Sequence, residues 1–478
     1  MSKKILTNVF LLLAINLLIK PFWILGIDRT VQNTVGNEEY GSYMVIFNIS
    51  LMFTMLLDFG INNFTSSFIA KHKHLLNKRF ASLFPLKLVF AAAYLVVTLG
   101  FGLMFGVSGK PLLFLLLLAF NQVLAFFILF FRANISGLQL FKTDAFLSVT
   151  DRGMMILFAL VLMLVYNGNF SIQHFIYAQT LGYITSFIIS FVVLKGSLQT
   201  IKLNFKKAMM WSMIRQSWPY ALLALLMTVY MRADILVMKK LLPNGDEQNG
   251  VYAVANRLLE AANMLAVLIA GMLLPLFSNM IKGKQDLSSL IKMSMTLLIV
   301  PAFGVAALSW FYNLDIMMLL SKTSPVESAA VFKYVMLSFV SMCTMYIFGT
   351  LLTANGSLKL LNTLAAIALA INLGLNIVLQ PHLGAKGAAI AAVCTHGFIA
   401  ITNMYFAIRH LSVKLNFDYL SRFMLVLLGI ASAVVVSYSI NLNLMAATVL
   451  AILSATIMLF VTRLFHIQQL KQLLQSRV

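Results

Sequence analysis

Only two cysteines, Cys343 and Cys394, occur in 478 residues. Two thiols so far apart give no disulfide framework and no thiolate metal site. Charge is scarce as well: Asp, Glu, Lys and Arg together make up 10% of the chain, where a soluble domain carries about 25%. Acid is the scarcer sign, with 14 Asp and Glu against 35 Lys and Arg. The chain lacks a nucleophile elbow, a P-loop and a dinucleotide fingerprint. Its seven histidines are scattered. No polar loop is long enough to hold the catalytic groups of a membrane glycosyltransferase, polymerase or ligase. These absences exclude a soluble globular protein and an ATP-driven engine within this chain. They also leave no cofactor and no metal to expect.

What is present is apolar: 61% of residues are hydrophobic. A helix rises 1.5 Å per residue, so about 20 apolar residues cross a hydrocarbon layer of about 30 Å. Backbone groups in lipid must pair internally, and long Leu/Ile/Val/Phe runs without period-two alternation favour helices over a barrel. Fourteen spans are expected, at 5–27, 40–65, 81–107, 111–134, 145–167, 172–195, 214–241, 250–279, 288–312, 329–354, 360–380, 385–408, 420–440 and 444–463. The net charge of +21 does not point to nucleic acid, because of where it lies. Most Lys and Arg fall at the N-terminus, in the loops after even-numbered spans and at the C-terminus. Basic residues in short loops stay cytoplasmic, so both termini are expected inside. Clusters such as Lys71, Lys73, Lys78 and Arg79 need no partner beyond the anionic headgroups of the bilayer. Lys3 and Lys4 before an apolar stretch resemble a signal peptide, but the stretch is too long and lacks a small-residue cleavage pattern. It reads as an uncleaved first span.

One stretch organises the chain. From Trp218 to Met280 it rises, turns at Pro243-Asn244-Gly245-Asp246-Glu247 and returns to Leu274-Pro275. Arg232 and Asp234 lie on the way out, Arg257 and Glu260 on the way back. A charge at mid-bilayer costs about 2.5–3.5 kcal/mol on insertion scales, so four of them should face protein or water. Arg232 and Asp234 are two apart and point away from each other, so each needs a partner elsewhere. Arg257 or Glu260 are the nearest candidates. Asn256, Glu260 and Asn263 share a face, and Arg257 reaches Glu260 at i+3. A purely structural ion pair is the competing reading of Arg257 and Glu260. The run Gly41-Ser42-Tyr43-Met44-Val45 resembles Gly250-Val251-Tyr252-Ala253-Val254. A repeat at half-chain spacing implies two related lobes, a plan common in transporters. The expected architecture is therefore all-α: a polytopic membrane protein with about 14 transmembrane helices, two six-helix lobes related by a pseudo-repeat, and two extra C-terminal helices. The lobes are 1–195 and 214–410. Residues 196–213 form a cytoplasmic amphipathic linker, and 411–478 hold spans 13 and 14 with a basic tail.

Other intramembrane polar residues divide between structural and functional readings. Lys20, before Pro21 in span 1, either snorkels to the outer headgroups or faces a cavity. Arg29, beside Asp28, lies nearer the surface. Asn48 sits in the body of span 2, and Asp58 near its cytoplasmic end. Asp58 is expected to cap a helix or pair with Lys87 or Arg132, with a coupling role as the alternative. Asp151-Arg152, adjacent and so about 100° apart on a helix, should find partners such as Arg132 or Lys142.

Gly36-Asn37-Glu38-Glu39-Tyr40-Gly41, then Asp58-Phe59-Gly60-Ile61, then a basic stretch after Ala70, resembles the opening of the polysaccharide transport family. That family holds the O-antigen and related oligosaccharide flippases. It belongs to the multidrug/oligosaccharidyl-lipid/polysaccharide exporter superfamily, with the lipid II flippases and the multidrug and toxin extrusion transporters. Arg232-Ala233-Asp234, Gly250 to Arg257, Leu274-Pro275 and Gly384-Ala385-Lys386-Gly387-Ala388-Ala389 extend the resemblance over nearly the whole chain. It implies translocation of a polyprenyl-diphosphate-linked oligosaccharide by alternating access in a bacterial plasma membrane. Arg257, Arg232, Lys20 and Arg29 would form the cationic wall for the diphosphate, and Asp234, Glu260, Asn256, Asn263, Asn48 and Asp58 the polar or coupling groups. Lipid II flippases place basic cavity residues in spans 1, 2 and 8. Lys20 and Arg257 suit the first and last; span 2 offers Asn48 instead. Expected partners are the lipid-linked oligosaccharide, the bilayer, and polymerase and chain-length proteins of the same pathway. The alternatives are a cation-coupled drug extruder of the same fold and a membrane enzyme of glycan assembly.

Overall fold

The computed structural model describes residues 16, 18–198, 207–411, 413 and 415–464. The beginning of span 1, residues 199–206 of the linker and the tail from Phe465 lie outside the described residues. Sixteen α-helices account for the described chain, and no strand occurs among the described residues. In order they are α1 (Arg29–Val35), α2 (Asn37–Met52), α3 (Ile61–Lys71), α4 (Leu76–Met104), α5 (Lys110–Gly137), α6 (Phe141–Val165), α7 (Ile172–Lys195) and α8 (Lys207–Leu241). The second half has α9 (Gly245–Lys282), α10 (Ser288–Phe311), α11 (Asn313–Leu320), α12 (Pro325–Ala354), α13 (Leu358–Leu383), α14 (Ala385–Leu411), α15 (Phe417–Ser439) and α16 (Leu444–Val461). Twelve helices among the described residues are long and apolar enough to cross a membrane, and they match spans 3 to 14. The expected breaks between spans 3 and 4 and between spans 13 and 14 are both present. Gly106 and Gly109 take positive φ between α4 and α5, and Asn441 does so between α15 and α16.

The first two spans are less regular than expected. A π-helical stretch, Trp23–Asp28, leads directly into α1, so the first helix continues to Val35. Span 2 is not one helix. After α2 a 3-10 turn, Thr54–Leu57, leads into Phe59 (φ 44) and Gly60 (φ 75) before α3 begins. A left-handed Phe costs about 1–2 kcal/mol, and the break frees backbone carbonyls that lipid cannot satisfy. Lys87, 2% exposed on α4, answers the second difficulty in part. Its Nζ donates to the Leu57 carbonyl at 3.0 Å and to Asp58 Oδ1 at 2.8 Å. Asp58 also accepts from the Asn62 backbone N–H at 3.2 Å, holding the first turn of α3. Phe59 packs on Phe90, ring centroids 4.9 Å apart.

Contacts divide the chain into two compact units, Met1–Ile235 and Leu236–Val478, the division falling inside α8. The repeat that would define lobes at 1–195 and 214–410 is a matter of internal symmetry and remains a proposal. In the N-terminal unit, Phe80, Phe127, Phe130 and Phe131 pack with Phe187 and Phe191 to join α4, α5 and α7. α6 and α7 approach at Gly182, where a Cβ would sit 2.9 Å from the Met155 backbone nitrogen and 3.0 Å from its Cα. Backbone cannot yield as a side chain can, so Gly182→Val is expected to destabilise the protein by about 1–3 kcal/mol, read as a lower melting temperature in detergent. In the C-terminal unit, α12 is the central helix and packs against α9, α10 and α14. The last hairpin, α15 and α16, rests on α10. The apolar window of α16 is only 11% buried, as expected for a helix facing lipid. The two related motifs occupy similar places: Tyr43 and Tyr252 each lie early in a helix and are buried.

Candidate functional site

In the N-terminal unit the intramembrane charges are arranged by α2, α5, α6, α8 and the first helix. Asn16 Nδ2 donates to Ser148 Oγ on α6 at 2.8 Å. That bond sets the first helix level with α6, so Lys20 lies in the electrostatic field of Asp151, Arg152 and Arg132. Arg152 faces aromatic rings, its guanidinium 5.9 Å from the Trp23 and Tyr183 ring centroids. Its contact with Asp151 is 4.0 Å, the distance adjacent helical residues permit. Arg132 instead pairs with Asp144 at 2.8 Å, a partner nearer in sequence than those expected.

Arg232 on α8 donates from Nη1 to Asn48 Oδ1 at 3.0 Å. Sequence spacing does not point to this partner. Asn48 is fully buried, and its Nδ2 donates to the Met44 carbonyl at 2.7 Å, which orients its oxygen toward the guanidinium. Span 2 thus contributes an amide to this cation, where the family resemblance would lead one to look for a base. Asp234 is buried at 3% exposure. Arg29 is buried and hydrogen-bonds Gln32 Oε1 at 2.9 Å and Asn33 Oδ1 at 2.8 Å on its own helix. Asp58, a candidate coupling group, is held by Lys87.

In the C-terminal unit, Arg257 Nη1 meets Glu260 Oε2 at 2.7 Å along α9, with side chains 14% and 25% exposed. The i+3 reach expected from sequence is therefore made. Asn256 and Asn263 are half-buried on the same helix. Asn263 Nδ2 donates to the Tyr346 hydroxyl on α12 at 2.9 Å. Tyr346 was not singled out in sequence, where one Tyr in an apolar run gives no signal. At the hairpin tip, Lys239 pairs with Asp246 at 2.5 Å. Gln248 Oε1 accepts from the Ala385 backbone N–H at 2.9 Å, so the tip holds the start of α14. No group of three or more His, Cys, Asp or Glu able to hold a metal ion occurs among the described residues.

Three solved structures of membrane transporters share this arrangement of helices. The lipid II flippase MurJ in an inward closed conformation shares 15% identity and covers 91% of this chain and 95% of its own, with a TM-score of 0.69. An inward-facing multidrug resistance MATE family transporter of the MOP superfamily shares 14%, covers 84% and 98%, and has a TM-score of 0.65. A MOP superfamily transporter from Pyrococcus furiosus Vc1 (DSM3638) shares 14%, covers 84% and 95%, and has a TM-score of 0.58. The fold is that of the MOP superfamily, and the protein is a multi-pass helical membrane protein. No curated protein matches the sequence. The model of the polysaccharide biosynthesis protein family matches residues 5–281, more than half of the chain, and the chain belongs to that family.

Proposed function

We propose that this protein is a flippase. It moves a polyprenyl-diphosphate-linked oligosaccharide, a unit of O-antigen, capsule or exopolysaccharide, from the cytoplasmic to the outer leaflet of a bacterial plasma membrane. The observation that carries this reading is the family match over residues 5–281, which contains every proposed binding cation: Lys20, Arg29, Arg232 and Arg257. The oligosaccharide cannot enter hydrocarbon, whereas the polyprenyl tail can stay there. The diphosphate needs cations that remain charged in a low-dielectric setting, and Arg suits it by its fork geometry. Lys20 and Arg232 lie on helix bodies with neutral amides nearby, Asn16 and Asn48, that can also hydrogen-bond sugar hydroxyls. Arg257 carries Glu260, and Asn256 and Asn263 continue its face. Alternating access then follows from two units reorienting around the headgroup. The basic loops support an orientation with both termini in the cytoplasm. Polymerase and chain-length proteins of the same pathway are the expected consumers of the product.

Cells depleted of the protein are expected to accumulate the lipid-linked oligosaccharide on the inner leaflet, beyond the reach of an externally added lectin. Their sensitivity to cationic drugs should not change. Normal surface glycan together with raised drug sensitivity would instead assign the protein to cation-coupled extrusion.

A further inference from the structure

Where α10 ends and α12 and α14 begin, three helices of the C-terminal unit gather two rings and two ammonium groups. Trp310 and Tyr334 meet edge to face, ring centroids 5.5 Å apart. Lys333 Nζ lies 5.3 Å from the Trp310 centroid and 5.4 Å from that of Tyr334. Lys386 Nζ, from α14, lies 5.8 Å from the same Tyr334 centroid. Trp310 is 39% exposed, so part of its surface is accessible; the other three side chains are half-buried. Neither lysine forms an ion pair among the described residues. Glu327, the only acidic residue of α12, is exposed and pairs with neither among the described residues.

Single Trp, Tyr and Lys residues at helix ends are ordinary interfacial anchors. An anchoring lysine spreads its ammonium into water, away from other cations. Two ammonium groups drawn to one phenol ring from different helices do the opposite. The ring's negative face offsets part of their repulsion, and a phosphate between them would turn the rest into attraction. The accessible part of the indole beside them offers an apolar surface to the C–H face of a pyranose.

We propose that Lys333, Lys386, Tyr334 and Trp310 form a docking platform for a phosphoglycan headgroup. The two lysines take the phosphate and Trp310 stacks on the adjoining sugar. The proposal rests on the flippase reading. In that orientation the platform lies at the non-cytoplasmic end of the bundle and receives the headgroup after translocation. It is separate from Arg257, which lies well inside α9.

The test uses the full chain in phosphatidylcholine nanodiscs, with Trp23, Trp211 and Trp218 replaced by Phe so that emission reports Trp310 alone. The probes are sodium pyrophosphate, phosphatidylglycerol and a polyprenyl-diphosphate-linked N-acetylglucosamine. The lipid-linked sugar should shift Trp310 emission saturably, and pyrophosphate should do so more weakly. Lys333→Gln with Lys386→Gln should weaken both by about tenfold or more, the effect of losing charge-assisted contacts. A silent Trp310, or an unchanged titration in the double Gln variant, overturns the proposal. Equal binding of phosphatidylglycerol overturns its sugar part and leaves a general anionic-lipid site. If the triple Phe chain does not assemble, the difference between the native chain and Trp310→Phe gives the same reading. Failure of this platform is distinguishable from failure of the flippase reading. A silent Trp310 with normal translocation by the native protein defeats only the platform. Normal translocation by Arg257→Ala with a saturating Trp310 signal defeats only the assignment of the internal cation.

Discussion

Arg257→Ala is expected to lower export of the glycan by about a hundredfold at equal protein level, the loss expected when a charge-assisted contact to a phosphate disappears. Two mechanisms could produce such a loss, and a second variant separates them. Arg257 is bonded to Glu260 at 2.7 Å, so its removal also leaves a half-buried carboxylate without this partner. If pairing were the whole role of Arg257, Arg257→Gln combined with Glu260→Gln would restore export, because neither side would carry charge. If Arg257 receives the diphosphate, that double variant stays inactive while Glu260→Gln alone exports. Arg257→Lys should recover part of the activity, since a point charge replaces the fork. The measurement is surface glycan per unit of membrane-inserted protein. Full export by the double Gln variant would make the pair structural and move the binding role to Lys20, Arg29 and Arg232.

Lys87→Met is expected to cost about 3–5 kcal/mol, the penalty for breaking a buried pair from one side. The site gives reasons for a value near the upper end. Lys87 is 2% exposed, and its ammonium satisfies the Leu57 carbonyl as well as Asp58. It therefore holds together a helix interruption in which Phe59 and Gly60 are already left-handed. Adding Asp58→Asn should return a substantial part of the loss, because the uncompensated carboxylate disappears while the amide can still accept from Asn62. Thermal unfolding in detergent reads both variants. If Asp58→Asn alone keeps its stability but abolishes export, Asp58 is a coupling group as well as a structural one.

Helix existence was legible in the sequence because hydrophobic length is a direct physical requirement of the bilayer. Span 6 at 172–195 coincides with α7 (Ile172–Lys195), and span 9 with α10 to within one residue. Interruptions were less legible. Asp58-Phe59-Gly60 stood out as a motif, but nothing in its hydropathy said that the helix stops there. The pairing of Asp58 with Lys87 was expected and is made, but the bond from Lys87 to the Leu57 carbonyl, thirty residues away, leaves no periodic trace. The same limit governed the charges. Arg257 and Glu260 could be paired from spacing alone, since i+3 is fixed by helix geometry. The bond from Arg232 to Asn48 could not, because the two are 184 residues apart. Nor does spacing bring Lys333 and Lys386 to one ring, since they lie on different helices that only the fold places beside Tyr334.

The length of α9 has a mechanical meaning. Its 38 residues make a rod of about 57 Å at 1.5 Å per residue, nearly twice the hydrocarbon thickness of about 30 Å. The surplus has to project beyond the oily layer or be absorbed by inclination. A swing of about 10° about one tip displaces the opposite tip by about 10 Å, from the same length. A residue such as Arg257, about a third of the way along this lever from Gly245, would move only about a third as far as the opposite tip when the swing is about the Gly245 end.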